Sequence, residues 1–292
     1  MFRLALFALL LGLSLTPARA QFDANIACYS YPRTTESYKK KLWDGYEISL
    51  GPVPHSLEYG CTAAIYNSAG KVVFRTNGFG VVFDEHLTGE DIDGDGKPEV
   101  VFMTDQAGGA HCCWVYNVVS LFPKPHRLFD VGENLGVHFQ KDTEGKTIIW
   151  EGVGGTTEYT TGMDRPTAER VYRVQAGKLV DATPEFCADI FGSAGSREHD
   201  IWTRVLTPEN IKKLQSAKKL GVNGEIEVEP VVSALLSRAL QRVLCHQYDE
   251  AMADLKLWPE AGWDQMMHNF AESIKDVSPE FVKRLAGTTE AK

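Results

Sequence analysis

The sequence predicts an α+β protein, with an antiparallel β domain followed by a smaller helical domain. Between about Trp43 and Val180, short runs of alternating apolar residues are separated by turn residues, which is typical of strands. After Thr203 the apolar residues recur at helical spacing instead. An apolar leader precedes both parts. We therefore expect a signal peptide over residues 1–20, a β domain over 21–196 and a helical domain over 197–292.

The leader has the parts of a secretory signal peptide. Arg3 is followed by the apolar run Leu4–Leu15 and then by the small-residue cleavage pattern Ala18–Ala20. The apolar run is shorter than the roughly 20 residues that a membrane span needs, and no later stretch approaches that length without charges. We expect a secreted or periplasmic protein, cleaved near Ala20, with no transmembrane segment in the mature chain.

The charge of the chain limits its partners. The net charge is −9, and it becomes −11 without residues 1–20, because that segment contains Arg3 and Arg19. So acidic a chain argues against nucleic acid or anionic lipid as the main partner. A protein or glycan partner is compatible with this charge, and the oligomeric state stays open.

The strand pattern is clearest in one hairpin, which joins Cys61–Tyr66 to Lys71–Arg75 through the turn Asn67–Gly70. About seven strands are expected, and glycine and serine residues near 192–196 mark the expected end of the β domain. Further strands are predicted at Gly80–Phe83, Glu99–Met103, Cys113–Leu121, Lys146–Trp150 and Arg170–Val174.

Helices are predicted from start signals and apolar stripes. Thr207 and Pro208 form a helix start, with a capping residue before a proline in the first turn. Pro230 opens a second helix whose apolar stripe predicts core packing. Three more helices are predicted at Tyr248–Leu255, Gly262–Val277 and Pro279–Leu285.

An acidic loop precedes the predicted strand at Glu99. Asp91, Asp93 and Asp95 alternate with other residues, and Gly94 and Gly96 allow a tight curl. Ca²⁺ binds six to eight oxygens, which suits carboxylates at alternate positions. We expect a calcium site formed by Asp91, Asp93, Asp95, the backbone carbonyl of Lys97, and Glu99. The alternative is a bare turn rich in Asp and Gly, although carboxylates held that close repel one another without a cation.

The loop differs from an EF-hand, which would place its closing glutamate at the position of Phe102 and lead into a helix. A loop that leads into a strand with an acidic ninth residue instead resembles the calcium loops of FG-GAP and VCBS repeats, over about residues 80–121. This resemblance implies blade-like hairpins and a calcium ion. The turn Asp142–Lys146 looks like a degenerate copy without the middle acids, and we expect no metal there.

Six cysteines lie in the part of the chain expected to be exported, where oxidation is the default. We favour bridges between Cys28 and Cys61 and between Cys187 and Cys245, because each would close one region locally. Cys112 and Cys113 follow His111 in a segment similar to one found after the acidic loop in a family of exported bacterial proteins. Three interpretations stay open for this pair: a structural disulfide, a strained vicinal disulfide at a redox or ligand site, and a nucleophilic cysteine with His111 as its base.

These observations favour an exported calcium-binding protein with a binding or structural role. The alternative is an exported hydrolase or redox enzyme in which the calcium loop is only structural. No catalytic residue is assigned, since the remaining candidates Glu85, His86, His138, Glu151 and Glu158 lack the spacing of a hydrolase or zinc site. Two carboxylates, or a cysteine and a histidine, meeting in a cleft away from the loop would favour the enzyme.

Overall fold

A computed structural model describes residues 27–30, 35–53, 60–106, 114–132, 135–155, 165–192, 197–217, 220 and 228–289. Within these ranges the protein is α+β, as predicted, with three antiparallel sheets followed by helices. The predicted signal peptide, the segment containing His111, Cys112 and Cys113, and Glu158 lie outside the described residues.

Each sheet contains a meander of four consecutive strands. The first sheet contains β2 (Tyr38–Lys41), β3 (Glu47–Pro52), β4 (Cys61–Tyr66) and β5 (Val72–Gly78). The second contains β6 (Gly80–Phe83), β7 (Glu99–Asp105), β8 (Trp114–Ser120) and β9 (His126–Val131), with β1 (Ala27–Tyr29) beside β6. The third contains β10 (Val137–Lys141), β11 (Thr147–Gly154), β12 (Thr167–Gln175) and β13 (Lys178–Asp181).

The second sheet is covered on both faces. Successive side chains of a strand face opposite sides, so Val100 and Phe102 of β7 pack against the first sheet while Val101 packs against the third. Every residue of β7 is buried. This explains the unbroken apolar run in β7, because a strand covered on both sides needs no polar face. Burying each such side chain contributes about 1.5–3 kcal/mol.

The helices follow the third sheet, and the first of them begins within the range predicted as β domain. Its start, Thr183–Pro184–Glu185, has proline in the first turn, which is the same signal as at Pro208. The described helices are α1 (Thr183–Gly192), α2 (Arg197–Val205), α3 (Pro208–Ser216), α4 (Glu229–Leu244), α5 (Tyr248–Leu255), α6 (Trp263–Ile274) and α7 (Pro279–Thr289). None of these described helices has both the length and the apolar character that a membrane span requires.

Helix α4 closes an edge of the third sheet. Ser237 and Gln241 lie one turn apart on the same face of α4. The Ser237 hydroxyl accepts from the Thr167 amide at 2.9 Å. The Gln241 side chain accepts from the Glu169 amide at 2.8 Å and donates to the Glu169 carbonyl at 3.0 Å. Because β13 pairs only with the later part of β12, these side chains satisfy backbone groups that no strand reaches.

Both disulfides favoured from the sequence are present in the structure. Cys28–Cys61 joins β1 of the second sheet to β4 of the first, and Cys187–Cys245 joins α1 to the C-terminal end of α4. The bridged cysteines are 33 positions apart in the first disulfide and 58 positions apart in the second. The two bridges thus tie together parts of the chain that pack against each other.

Candidate metal site

The acidic loop connects β6 to β7, and backbone hydrogen bonds hold its C-terminal end. Glu99 accepts from the Gly89 amide and donates to the Glu90 carbonyl, each at 2.9 Å. The Thr88 hydroxyl bonds both backbone groups of Val101, at 2.9 and 3.1 Å. Ile92 is only 2 % exposed and packs in the core between the second and third sheets. The loop is therefore anchored to the start of β7 and to the core beneath it.

The aspartates of the loop organise its backbone. The two carboxylate oxygens of Asp91 accept from the amides of Gly94, at 2.8 Å, and Gly96, at 3.0 Å. Asp93 accepts from the Asp95 amide at 3.0 Å. Gly94 and Gly96 adopt φ values of 80° and 84°, a conformation that glycine reaches at little cost. The result is a loop curled around its own carboxylates.

Three of the predicted ligand residues come together. Asp91, Asp93 and Glu99 each offer one carboxylate oxygen, and these oxygens lie within 4.8 Å of one another. Glu99 is fully buried, at 0 % exposure. Its Oε2 accepts from the Ile92 amide at 2.7 Å, whereas its Oε1 is buried with no hydrogen-bond partner. A buried carboxylate oxygen without a partner is strongly disfavoured, and a bound cation would satisfy it.

Burial also changes the proton affinity of the cluster. It raises the pKa of Glu99 from 4.5 to about 7, although the backbone amides of Ile92 and Asp93 act in the opposite direction. The negative charge of Asp93 adds to the increase. Burial likewise raises the pKa of Asp93. Ionised carboxylates are thus disfavoured here, and a divalent cation would reverse that balance.

Asp95 and Lys97 do not belong to this group of three. Asp95 accepts from the Lys97 amide at 2.8 Å, and its other oxygen lies 3.8 Å from the Lys97 ammonium. The same ammonium lies 5.3 Å from the centre of the Phe122 ring. The carboxylate of Asp95 therefore closes a turn and pairs with a lysine, at the exposed side of the loop.

The turn at Asp142 connects β10 to β11 and has a different role. One oxygen of Asp142 accepts from the Glu144 and Lys146 amides, each at 2.9 Å, and the other pairs with Arg173 at 2.9 Å. Asn67 closes the turn between β4 and β5 in the same way, by accepting from two amides of its own turn. Asp142 therefore acts as a hairpin-closing residue.

A groove of about 920 Å³ lies beside the acidic loop, and we name it the polar groove because most of its lining residues are polar or charged. Asp93 and Gly94 line it from the loop, and the third sheet and α1 line it from the other side, with Gln140, Arg173 and Phe186 among the lining residues. Lys141, also in this lining, donates to the Asp91 carbonyl at 2.6 Å and to the Thr147 hydroxyl at 3.0 Å. No sequence signal marked Lys141, which lies 50 positions from Asp91.

A second cleft of about 340 Å³ is lined by two carboxylates, Asp130 and Glu151. Asp130 pairs with Arg127 at 2.7 Å. Glu151 accepts from the Gly132 amide at 3.2 Å and from the Tyr172 hydroxyl at 2.8 Å. The cleft thus brings together two acids away from the loop, but both are already engaged.

Searches against protein-family models, curated proteins and solved structures found no match for this chain. The geometry and charge of the acidic loop are therefore the basis for assigning a function.

Proposed function

We propose that this chain is an exported calcium-binding protein in which the ion has a structural or ligand-binding role. The observation that carries the proposal is the fully buried Oε1 of Glu99, which has no hydrogen-bond partner and belongs to a residue grouped with Asp91 and Asp93. Three carboxylates held this near to one another repel each other unless a cation neutralises them. Asp91, Asp93 and Glu99 would hold the ion.

The donor set supports calcium over other metals. All three residues offer carboxylate oxygens, which hard cations prefer, and the group contains no histidine or cysteine that would suit zinc. Magnesium demands near-ideal octahedral geometry and keeps several waters, whereas calcium accepts irregular loops with more ligands. Asp95 and the Lys97 carbonyl remain candidates for the rest of the coordination sphere. The resemblance to FG-GAP and VCBS loops leads to the same ion.

The role of the ion follows from the position of the loop. Calcium would neutralise the carboxylates beneath the β6–β7 connection and fix one wall of the polar groove, to which Asp93 contributes. The groove is the surface we assign to a protein or glycan partner. Export is supported by the signal-peptide pattern and by two disulfides, which persist in oxidising compartments.

Calorimetric titration of the metal-stripped mature protein tests the proposal. Calcium should bind with one-to-one stoichiometry and raise the melting temperature, and magnesium should bind more weakly. Asp91→Asn should weaken calcium binding at least about tenfold, because it removes one of three charges that attract the ion. Glu144→Gln is the matched control, since it removes one charge from an exposed residue of a neighbouring turn. The proposal fails if calcium neither binds nor stabilises the protein, or if both variants respond equally.

The alternative function is an exported hydrolase in which calcium is only structural. One observation favours it, namely that Asp130 and Glu151 line the same cleft away from the loop. A panel of ester and glycoside substrates tests this alternative, which requires turnover that Glu151→Gln abolishes. A redox enzyme would depend on Cys112 and Cys113, which lie outside the described residues.

A further inference from the structure

The acidic loop belongs to the second sheet, but its contacts reach the third. Ile92 packs with Ile149 and Val174 of the third sheet. The Lys141 ammonium at the end of β10 donates to the Asp91 carbonyl at 2.6 Å. The β12–β13 turn passes close to the loop. A Cβ atom placed on Gly177 of this turn would lie 3.6 Å from Oδ2 of Asp93. An apolar contact, a hydrogen bond and a close approach thus link the loop to three strands of the other sheet.

We propose that the acidic loop is a calcium-operated clasp between the second and third sheets. Calcium binding holds the β10–β11 hairpin and the β12–β13 turn more tightly against the second sheet. This inference rests on the proposed function and deepens it, because it names the part of the fold that the ion controls.

Asp91 carries the link between the ion and the third sheet. Its side chain belongs to the group of three carboxylates, while its carbonyl accepts from Lys141. An ion that fixes the side chain also fixes the position of this carbonyl. Lys141 in turn donates to the Thr147 hydroxyl at the start of β11 at 3.0 Å. One lysine therefore connects the ion site to both strands of the β10–β11 hairpin.

The Asp93 carboxylate makes a second link. Oδ2 of Asp93 approaches Gly177, whose φ of 71° belongs to the tight turn between β12 and β13. Restricting this carboxylate by metal coordination restricts the turn beside it. Asp93 also lines the polar groove, whose opposite wall is formed by the third sheet and α1. The clasp therefore sets the width of the groove.

Coupling between two sites is reciprocal, but calcium affinity alone is a poor readout of this clasp. Lys141 helps to position Asp91, and its positive charge also repels the ion. Removing Lys141 thus has two opposing effects on affinity. Amide hydrogen exchange separates them, because it reports the opening of each segment individually.

Hydrogen exchange of the mature protein with and without calcium tests the clasp. Calcium should slow exchange in the loop, and also in the β10–β11 hairpin and the β12–β13 turn, by about tenfold. Lys141→Met should keep the protection of the loop and lose that of the hairpin. Lys146→Met is the matched control, because Lys146 carries the same charge in the same hairpin but pairs with Glu144. It should retain protection in both places.

The outcomes separate the two proposals. Calorimetric binding of calcium with protection confined to the loop overturns the clasp and leaves the proposed function intact. Equal protection patterns in Lys141→Met and wild type also overturn the assignment of Lys141 as the connecting residue. An absence of calcium binding overturns both the clasp and the proposed function.

Discussion

Replacing Glu99 with glutamine should make the metal-free protein more stable at neutral to alkaline pH. Glu99→Gln keeps the size of the side chain and an oxygen that can accept from the Ile92 amide. It removes the buried charge, whose Oε1 lacks a partner. The variant therefore isolates the cost of ionising this carboxylate from the packing around it.

The magnitude follows from the raised pKa of Glu99, which burial moves from 4.5 to about 7. One pKa unit corresponds to about 1.4 kcal/mol, so the full effect is about 3 kcal/mol. The folded chain holds the Glu99 proton more tightly than the unfolded chain does. The contribution of protonated Glu99 to the free energy of unfolding is thus fully present below pH 4.5, and it is lost as the pH rises to about 7. New amide hydrogens in the variant would offset part of the gain.

We expect metal-free Glu99→Gln to exceed the wild type in free energy of unfolding by about 1–3 kcal/mol near pH 8. Near pH 4.5 the two proteins should differ far less in free energy of unfolding, because Glu99 is then protonated in the folded wild type. Calcium near pH 8 should stabilise the wild type more than the variant, because the variant lacks one of the three charges that attract the ion. Urea unfolding followed by tryptophan fluorescence measures all three quantities.

The control for this comparison is Glu144→Gln, which removes an exposed charge and should show no such pH-dependent difference. A Glu99→Gln variant that is less stable than the metal-free wild type near pH 8 would show that the buried Glu99 charge does not destabilise the folded protein. A variant that retains the full calcium response would contradict the assignment of Glu99 as a ligand.

Three further predictions concern the loop, the helical disulfide and the α4 contact. Asp93→Ala should weaken calcium binding in calorimetric titration more than Asp95→Ala, because only Asp93 belongs to the group of three; equal losses would contradict that grouping. Replacing Cys187 and Cys245 by alanine should lower the free energy of unfolding by about 4 kcal/mol, the chain-entropy value for a separation of 58 residues. Urea unfolding measures this, and a loss below about 1 kcal/mol would count against it. Gln241→Ala should destabilise the protein by about 1–3 kcal/mol, since it removes two hydrogen bonds to β12, and unchanged stability in the same assay would show that the contact is dispensable.

Much of the fold was accessible from local pattern. The hairpin predicted at Cys61–Tyr66 and its partner forms β4 and β5, and the helix start at Pro208 opens α3. These elements depend on residue period and turn chemistry, which are properties of neighbouring residues. About seven strands are expected from the sequence, whereas the described residues form thirteen, and β1, β2, β3, β9, β10, β13, α1 and α2 are not among the predicted elements. Strand β1 has only three residues, and it is a strand because it pairs with β6, which lies more than fifty positions away in the sequence.

For the candidate site, the acidic residues, their alternate spacing and the glycines that let the loop curl are all evident in the amino-acid sequence. Which of those residues come together depends on the packing of the three sheets. Glu99 is buried because β7 is covered on both faces by the other two sheets, and Lys141 reaches Asp91 only because the third sheet packs beside the loop. Spacing is a local property of the chain, whereas desolvation of a carboxylate depends on every element packed around it.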